Sequence, residues 1–271
     1  MSTVVFLGGG RITSAMLAGL RLAKTRHRLV VHDRNPGKLR DLKKRYAVVV
    51  EPDLKSAVKR ADALIVAVRP SSVRELLRAI GNVTGNRIRS IDRPLLAVSL
   101  AAGVPLRLLS KLVGPSVQWA RAMPSPLCRS GRGLTAMTFP RTLPRANRKG
   151  VQNLFASFGQ VVEIPESKFD AFTVIYSCSH GYHALATLAR TGQAAGLDRN
   201  TALLASAHAL ADGIIAWRDG KDSLGTLVEE AVTPGGIASA TVTKMDAAGY
   251  GRAMRQGVSA GLRRARANAG K

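Results

Sequence analysis

The stretch Val4-Val5-Phe6-Leu7-Gly8-Gly9-Gly10-Arg11-Ile12-Thr13-Ser14-Ala15 decides how this chain is read. Val4 to Leu7 is a short apolar run suited to a buried strand, and Thr13 to Ala23 carries the apolar spacing of a helix. Three glycines stand between them. Glycines at a strand-to-helix turn let the backbone approach a pyrophosphate, which then rests on the unpaired N–H groups of the helix N-terminus. Thr13 occupies the place of the third small residue of such a turn. Asp33 closes the next apolar run, Leu29 to His32, where a carboxylate meets the ribose of a bound dinucleotide. Strand, glycines, helix and downstream carboxylate together predict a dinucleotide site on Gly8, Gly10, Arg11, Ile12, Thr13 and Asp33.

The same region carries two opposed signals about which dinucleotide is held. Asp33 suits the ribose hydroxyls of NAD and repels the extra phosphate of NADP, whereas Arg34 and Asn35 are placed to grip that phosphate. With the strongly positive balance of the whole chain, the reading favours NADP, with NAD possible.

Outward from this turn, short apolar runs alternate with helical stretches, the pattern of a parallel sheet covered by helices. Asn35-Pro36 opens a helix through Tyr46, with Asn as cap and Pro in the first turn. Further strands are expected at residues 47–50, 63–68, 95–99, 117–120 and 134–137, and a last one at 161–164 after a helix over 145–158. Beyond Pro165 the pattern turns wholly helical. One long helix is expected over 169–195, with others over 200–217, 223–231 and 250–269. The fold class is therefore α/β: a Rossmann-type parallel sheet domain over 1–165, then an all-α domain over 166–271.

Composition agrees with a globular chain: 46% hydrophobic and 4% aromatic over 271 residues, a core of Val, Ile, Leu and Ala. No apolar run approaches the roughly 20 residues that span a bilayer. The first residues, Met1 to Gly8, have neither the basic n-region nor the cleavage-like tail of a signal peptide, so none is expected. Cys128 and Cys178 are too few for a disulfide framework and lack metal-site spacing. A cytoplasmic protein with no membrane partner and no bound metal is expected. The net charge of +24, from 41 Lys and Arg against 17 Asp and Glu, is an electrostatic footprint of nucleic-acid binders. Here the cations are spread along the chain, over 21–28, 38–45, 141–149 and 252–266, with no recognisable nucleic-acid module. They read as solvated faces, and no nucleic-acid partner is expected. Trp119 and Trp217 read as packing anchors, and Cys178 as a small packed residue.

Several motifs resemble those of pyrroline-5-carboxylate reductases. Ala67-Val68-Arg69-Pro70 is similar to that family's "AVKP" turn, and Val98-Ser99-Leu100-Ala101-Ala102-Gly103-Val104 to its "SIAAGV". Arg121-Ala122-Met123-Pro124 resembles "RxMPN", and Val232-Thr233-Pro234-Gly235-Gly236 resembles "VTSPGG". Gly133-Leu134-Thr135, Phe158-Gly159 and Asp170-Ala171-Phe172-Thr173 also fall in place. The matches run in order from Gly8 to the final helix. The resemblance implies a reductase that passes hydride from NADPH to the C=N carbon of a cyclic imino acid, making proline for amino-acid biosynthesis. It adds Ala67, Val68, Arg69, Pro70 and Ala101 to the cofactor residues. It also implies a homodimer or higher homo-oligomer built from the helical domain.

On the substrate side the chain departs from the family pattern. "MPNTP" is Met123-Pro124-Ser125-Pro126-Leu127 here, and "SGSGPAY" is Ser177-Cys178-Ser179-His180-Gly181-Tyr182-His183. The two threonines after "PGG" fall on Ile237 and Ala238, so the hydroxyl that the second offers to the ring nitrogen is missing. The resemblance implies substrate binding by Ser177, Ser179, Gly235, Gly236, Ile237 and Ala238. Candidate proton donors are His180, Tyr182 and Ser239. The altered residues keep two further readings open: a related imine or oxo-acid reductase, and a nucleotide-binding regulator without turnover.

Overall fold

The computed structural model describes residues 2–85 and 94–270. Val4 to Leu7 lies in β1 (Thr3–Leu7), and the glycine turn leads into α1 (Arg11–Leu22). There follow β2 (Arg28–His32), α2 (Pro36–Tyr46), β3 (Val49–Val50), α3 (Leu54–Lys59), β4 (Ala63–Val66), α4 (Pro70–Thr84), β5 (Leu95–Ser99) and α5 (Leu106–Val113). Then come β6 (Val117–Pro124), a 3₁₀ turn (Pro126–Ser130), β7 (Gly133–Thr138), α6 (Arg145–Ala156) and β8 (Gly159–Glu163). The strands form one sheet in the order β3-β2-β1-β4-β5-β6-β7-β8. Every neighbouring pair is parallel except β6 with β7.

The continuous apolar run of β1 follows from burial on both faces of the sheet. Val4 and Phe6 enter the core on one face, beside Met16, Leu20 and Phe155. Val5 and Leu7 enter the other, beside Val58, Leu77 and Trp119. On the first face α1 lies so close to the 3₁₀ turn that a Cβ on Gly19 would run into the Cys128 carbonyl oxygen.

Boundaries shift where local chemistry intervenes. Ala47 does not join β3: at φ +48 it is the left-handed cap of α2, its N–H bonded to the Lys43 carbonyl. The single helix expected over 169–195 is two, α7 (Glu166–Ile175) and α8 (Ser179–Ala194). The break follows from Ser177, whose Oγ accepts from the Ser179 N–H at 3.3 Å and meets the Ser179 Oγ at 2.7 Å. Such local bonds compete with helical pairing. The remaining helices are α9 (Arg199–Asp219), α10 (Leu224–Ala231), α11 (Ile237–Ala247) and α12 (Tyr250–Gly270). Of these, α11 was not expected from the sequence.

The chain divides into two compact units, Met1–Tyr176 with Gly261–Lys271, and Ser177–Ala260. In the first, the end of α12 packs on the loop after β5: Asn268 Nδ2 donates to the Ala102 carbonyl at 3.2 Å, and a Cβ on Gly103 would strike the Ala265 carbonyl oxygen. In the second, burial is sparse. Of the 21 residues of α9 only Ala202 and Ser206 are buried, and α10 and α11 bury none. Trp119 is a packed anchor as expected, but Trp217 on α9 is 46% exposed in the single chain.

Candidate active site

The glycine turn is held from both sides. The Gly8 N–H donates to the His32 carbonyl at 2.8 Å, and the Ala67 N–H to the Leu7 carbonyl at 2.9 Å. Gly8 sits at φ +110, and a Cβ there would lie 2.6 Å from the Ala67 oxygen, so position and conformation both demand glycine. Thr13 is fully buried, and its hydroxyl donates to the Gly8 carbonyl at 2.5 Å. Ala67 thus packs against the turn, and Arg69-Pro70 opens α4 just beyond it. Ala101 is buried after β5, its N–H on the Ser99 hydroxyl at 3.3 Å.

This turn fits a dinucleotide. Gly10 caps α1 without a side-chain hydrogen bond, no acid stands in the first turn, and a Cβ on Gly10 would meet nothing within 4 Å. The N–H groups of a helix N-terminus therefore face open space, the arrangement that receives a phosphate.

Asp33 has a role the sequence did not disclose. Its Oδ2 accepts from the Gly9 N–H at 2.7 Å, and its Oδ1 from the Asn35 N–H at 2.8 Å. Lys38 Nζ lies 3.6 Å from Oδ2, and the carboxylate side chain is only 14% exposed. Both oxygens are spent on bracing the two turns. Arg34, by contrast, is 76% exposed and pairs loosely with Glu75 at 3.3 Å, a contact worth at most about 1 kcal/mol and readily exchanged. Asn35 caps α2, its Oδ1 accepting from the Lys38 N–H at 3.2 Å.

Burial pushes the Asp33 carboxyl up, but the Gly9 and Asn35 N–H groups and Lys38 outweigh it and leave the pKa below 3.8. A lowered folded pKa contributes stability above the unfolded value and loses it as pH falls through the folded one. Asp33→Asn should therefore cost about 1–3 kcal/mol at pH 7, a gap that closes as pH falls below 3.8. Thermal unfolding of both proteins across pH checks this, and a gap independent of pH would deny the carboxylate its bracing role.

The substrate-side candidates stand at the starts of two helices of the second unit. Ser177, Ser179, His180 and Tyr182 lie at the N-terminus of α8, where Tyr182 is 70% exposed. Gly235, at φ +77, and the cap Gly236 lead into Ile237, Ala238 and Ser239 of α11, where Ile237 is 90% exposed. The cap residues Cys178 and Gly236 make no side-chain cap and neither first turn holds an acid, although Ser177 Oγ takes the Ser179 N–H at 3.3 Å. Among the described residues no hydrogen bond joins Ser177, Ser179 or Tyr182 to the α11 group. Cys128 is no nucleophile, since burial pushes its thiol up to about 12.

The sequence reading also missed the partners of Arg121. This side chain is 2% exposed, reaches Glu166 at 3.2 Å and Asp170 at 3.3 Å on α7, and lies 4.3 Å from the Phe169 ring centre. Glu166 Oε1 also accepts from the Leu106 N–H at the start of α5, at 2.6 Å. The acids and arginine were visible in sequence, but no local signal paired them.

Residues 3–91 match the family model described as NADP oxidoreductase coenzyme F420-dependent, and residues 166–268 that for pyrroline-5-carboxylate reductase dimerisation. Pyrroline-5-carboxylate reductase of Mycobacterium leprae is 30% identical over 214 residues, 78% of this chain and 72% of that protein. The reductase of Synechocystis sp. is 28% identical over 262 residues, 95% of each. Among solved structures, Plasmodium falciparum pyrroline carboxylate reductase with NADP bound aligns with a TM-score of 0.85 at 20% identity, covering 99% of this chain and 98% of that one. The order of motifs, the sheet with its glycine turn, and these likenesses converge: the chain belongs to the pyrroline-5-carboxylate reductase family.

Proposed function

We propose that the chain is an NAD(P)H-dependent oxidoreductase that reduces the C=N bond of 1-pyrroline-5-carboxylate to give proline. The observation that carries this reading is the glycine turn, with its open α1 N-terminus and its Asp33 brace, in a chain of this family. The nicotinamide cofactor, when bound, supplies the hydride. The residues themselves bind, orient and supply the proton. The first N–H groups of α1, at Gly10, Arg11, Ile12 and Thr13, hold the pyrophosphate, while Ala67 to Pro70 and Ala101 line the dinucleotide. NADPH is preferred over NADH because Asp33 is turned inward onto backbone N–H groups, leaving Arg34 and Asn35 to meet the extra phosphate.

The functional division falls at Pro165, with 1–165 binding dinucleotide and 166–271 serving dimerisation and substrate. The N–H groups at the starts of α8 and α11, with Ser177, Ser179, Gly235, Gly236, Ile237 and Ala238, hold the substrate carboxylate. His180, Tyr182 or Ser239 delivers the proton to the ring nitrogen. Ala238 cannot offer that nitrogen a hydroxyl, a loss worth on the order of 1–3 kcal/mol. Ala238→Thr should then raise kcat/KM for pyrroline-5-carboxylate by roughly 10- to 100-fold. The exposed Ile237 favours a second reading, reduction of a related and more apolar imine. A panel of cyclic imines with NADPH separates the two: the second holds if an imine other than pyrroline-5-carboxylate is turned over fastest and Ala238→Thr gains nothing.

The working unit is a homodimer at least. Leu203, Leu204, Ile214 and Ile215 of α9 are between 48% and 63% exposed, more apolar surface than a single chain leaves to water. Sedimentation at micromolar concentration should give a dimer or larger, and a monomer would refute it. Among the described residues no helix is long and apolar enough to cross a membrane. Cys128 and Cys178 are free thiols, and a cytoplasmic setting belongs to the same proposal.

A further inference from the structure

Cations that are scattered in the sequence meet at the end of the sheet away from the glycine turn. Helix α1 runs from that turn to the opposite end, where Arg21, Lys24 and Arg26 follow one another out of its last turn. Arg28 opens β2 there, in register with Thr3 at the start of β1. The Arg21 guanidinium donates to the Tyr46 and Ala47 carbonyls at 2.8 and 2.9 Å. That contact brings the last turn of α2, with Lys43, Lys44 and Arg45, to the same place. On the other flank, Leu22 lies 3.6 Å from where a Cβ on Gly131 would stand, which adds Arg129 and Arg132.

All these cations are exposed, and among the described residues none forms an ion pair. The nearby acids are few: Asp41 lies a turn back along α2, and Asp62 at the start of β4 holds the Thr3 N–H at 2.6 Å. Helix C-termini favour cations by about 0.3–1 kcal/mol each, which accounts for Arg21 and Lys43 to Arg45. It does not account for Lys24, Arg26, Arg28 or Arg132, which lie outside any helix. A crowd of like charges with no acid paired to it repels itself unless something anionic covers it.

The geometry decides among anionic covers. A second copy of the chain would bring the same charge. An anionic bilayer would also attract these cations, but the large apolar residues exposed here, Leu22 and Leu127, stand on separate turns and give no face to insert. A duplex needs only cations spaced along its phosphates. We propose that this end of the sheet docks the phosphate backbone of duplex DNA without reading its sequence. The inference goes beyond the reductase reading and does not depend on it. The dinucleotide site lies at the other end of α1, roughly 18 Å away for 12 residues, so both can be occupied together.

The test is fluorescence anisotropy with a labelled duplex of about 24 base pairs and arbitrary sequence, at salt of about 50 and 200 mM. Wild type should bind and lose affinity on the order of 1,000-fold between the two salts. Lys43→Glu/Lys44→Glu/Arg45→Glu should weaken binding at least about 30-fold and lower the salt slope by about 3. Arg141→Glu/Arg145→Glu/Lys149→Glu changes net charge equally among exposed residues elsewhere and should stay within about threefold of wild type. Both variants should keep NADPH binding, and the first should lower the unfolding midpoint only by the several degrees that three cations at a helix C-terminus contribute. If the first does not fold, Arg26→Glu/Arg28→Glu/Arg132→Glu takes its place. No binding by wild type, equal loss in both triple variants, or displacement of the duplex by phosphatidylserine vesicles through the same residues would each overturn the proposal.

Discussion

Gly10→Val should leave the fold standing while weakening dinucleotide binding by at least about 100-fold. Gly10 has φ −82 and ψ −172, extended backbone that valine accepts, and its Cβ position is empty to 4 Å. The cost to the helix is that of a poor cap, about 1 kcal/mol. The added isopropyl group stands over the open N-terminus of α1, where the pyrophosphate must come close. Gly8→Ala is the contrasting variant. Its Cβ would lie 2.6 Å from the Ala67 oxygen at φ +110, so it should lose both stability and binding. Titration with NADPH beside thermal unfolding separates the two. If the Gly10→Val protein binds as wild type does, the turn is not the phosphate site.

Glu166→Gln/Asp170→Asn should destabilise the chain more than Arg121→Met does. Arg121 is the buried member of the cluster at 2% exposure, whereas Glu166 and Asp170 reach water at 36% and 31%. Its Nε is buried without a hydrogen-bond partner, so the guanidinium already depends on the two acids. Neutralising both leaves a buried cation uncompensated, about 3–5 kcal/mol, which lowers the unfolding midpoint by roughly 6–20 °C for a chain of this size. Replacing Arg121 by Met instead releases two carboxylates that water can solvate, and methionine fills the space against Phe169. That change should cost about 1–2 kcal/mol. The order of the two midpoints is the check, and the reverse order would show that the acids do not hold the arginine.

The parts of the fold that could be read from sequence are those where local and global signals agree. Val4 to Leu7 is apolar throughout because both faces of β1 are buried, and the glycines after it answer to the Ala67 carbonyl. Where two local preferences compete, the reading failed. Ser177 and Ser179 break a helix that composition alone would continue. The segment Ile237-Ala238-Ser239-Ala240-Thr241-Val242-Thr243 is rich in β-branched residues, which lowers helix propensity, and so α11 passed unnoticed. In the site, the sequence marked Asp33 but not what it does: that its oxygens turn inward onto Gly9 and Asn35 depends on how two turns meet. The cluster of Arg121 with Glu166 and Asp170 spans some 45 residues of sequence, beyond any periodic signal. The same holds for the basic end of the sheet, whose cations read as solvated faces one segment at a time.

Reduction of a cyclic imine at the expense of NADPH is met directly by one measurement. Purified protein is mixed with NADPH and pyrroline-5-carboxylate, and the loss of nicotinamide absorbance is followed while proline is quantified in the same samples. One proline should form for each NADPH consumed, with both signals abolished in Gly10→Val. Normal NADPH binding with no proline formed by the wild-type dimer would contradict it.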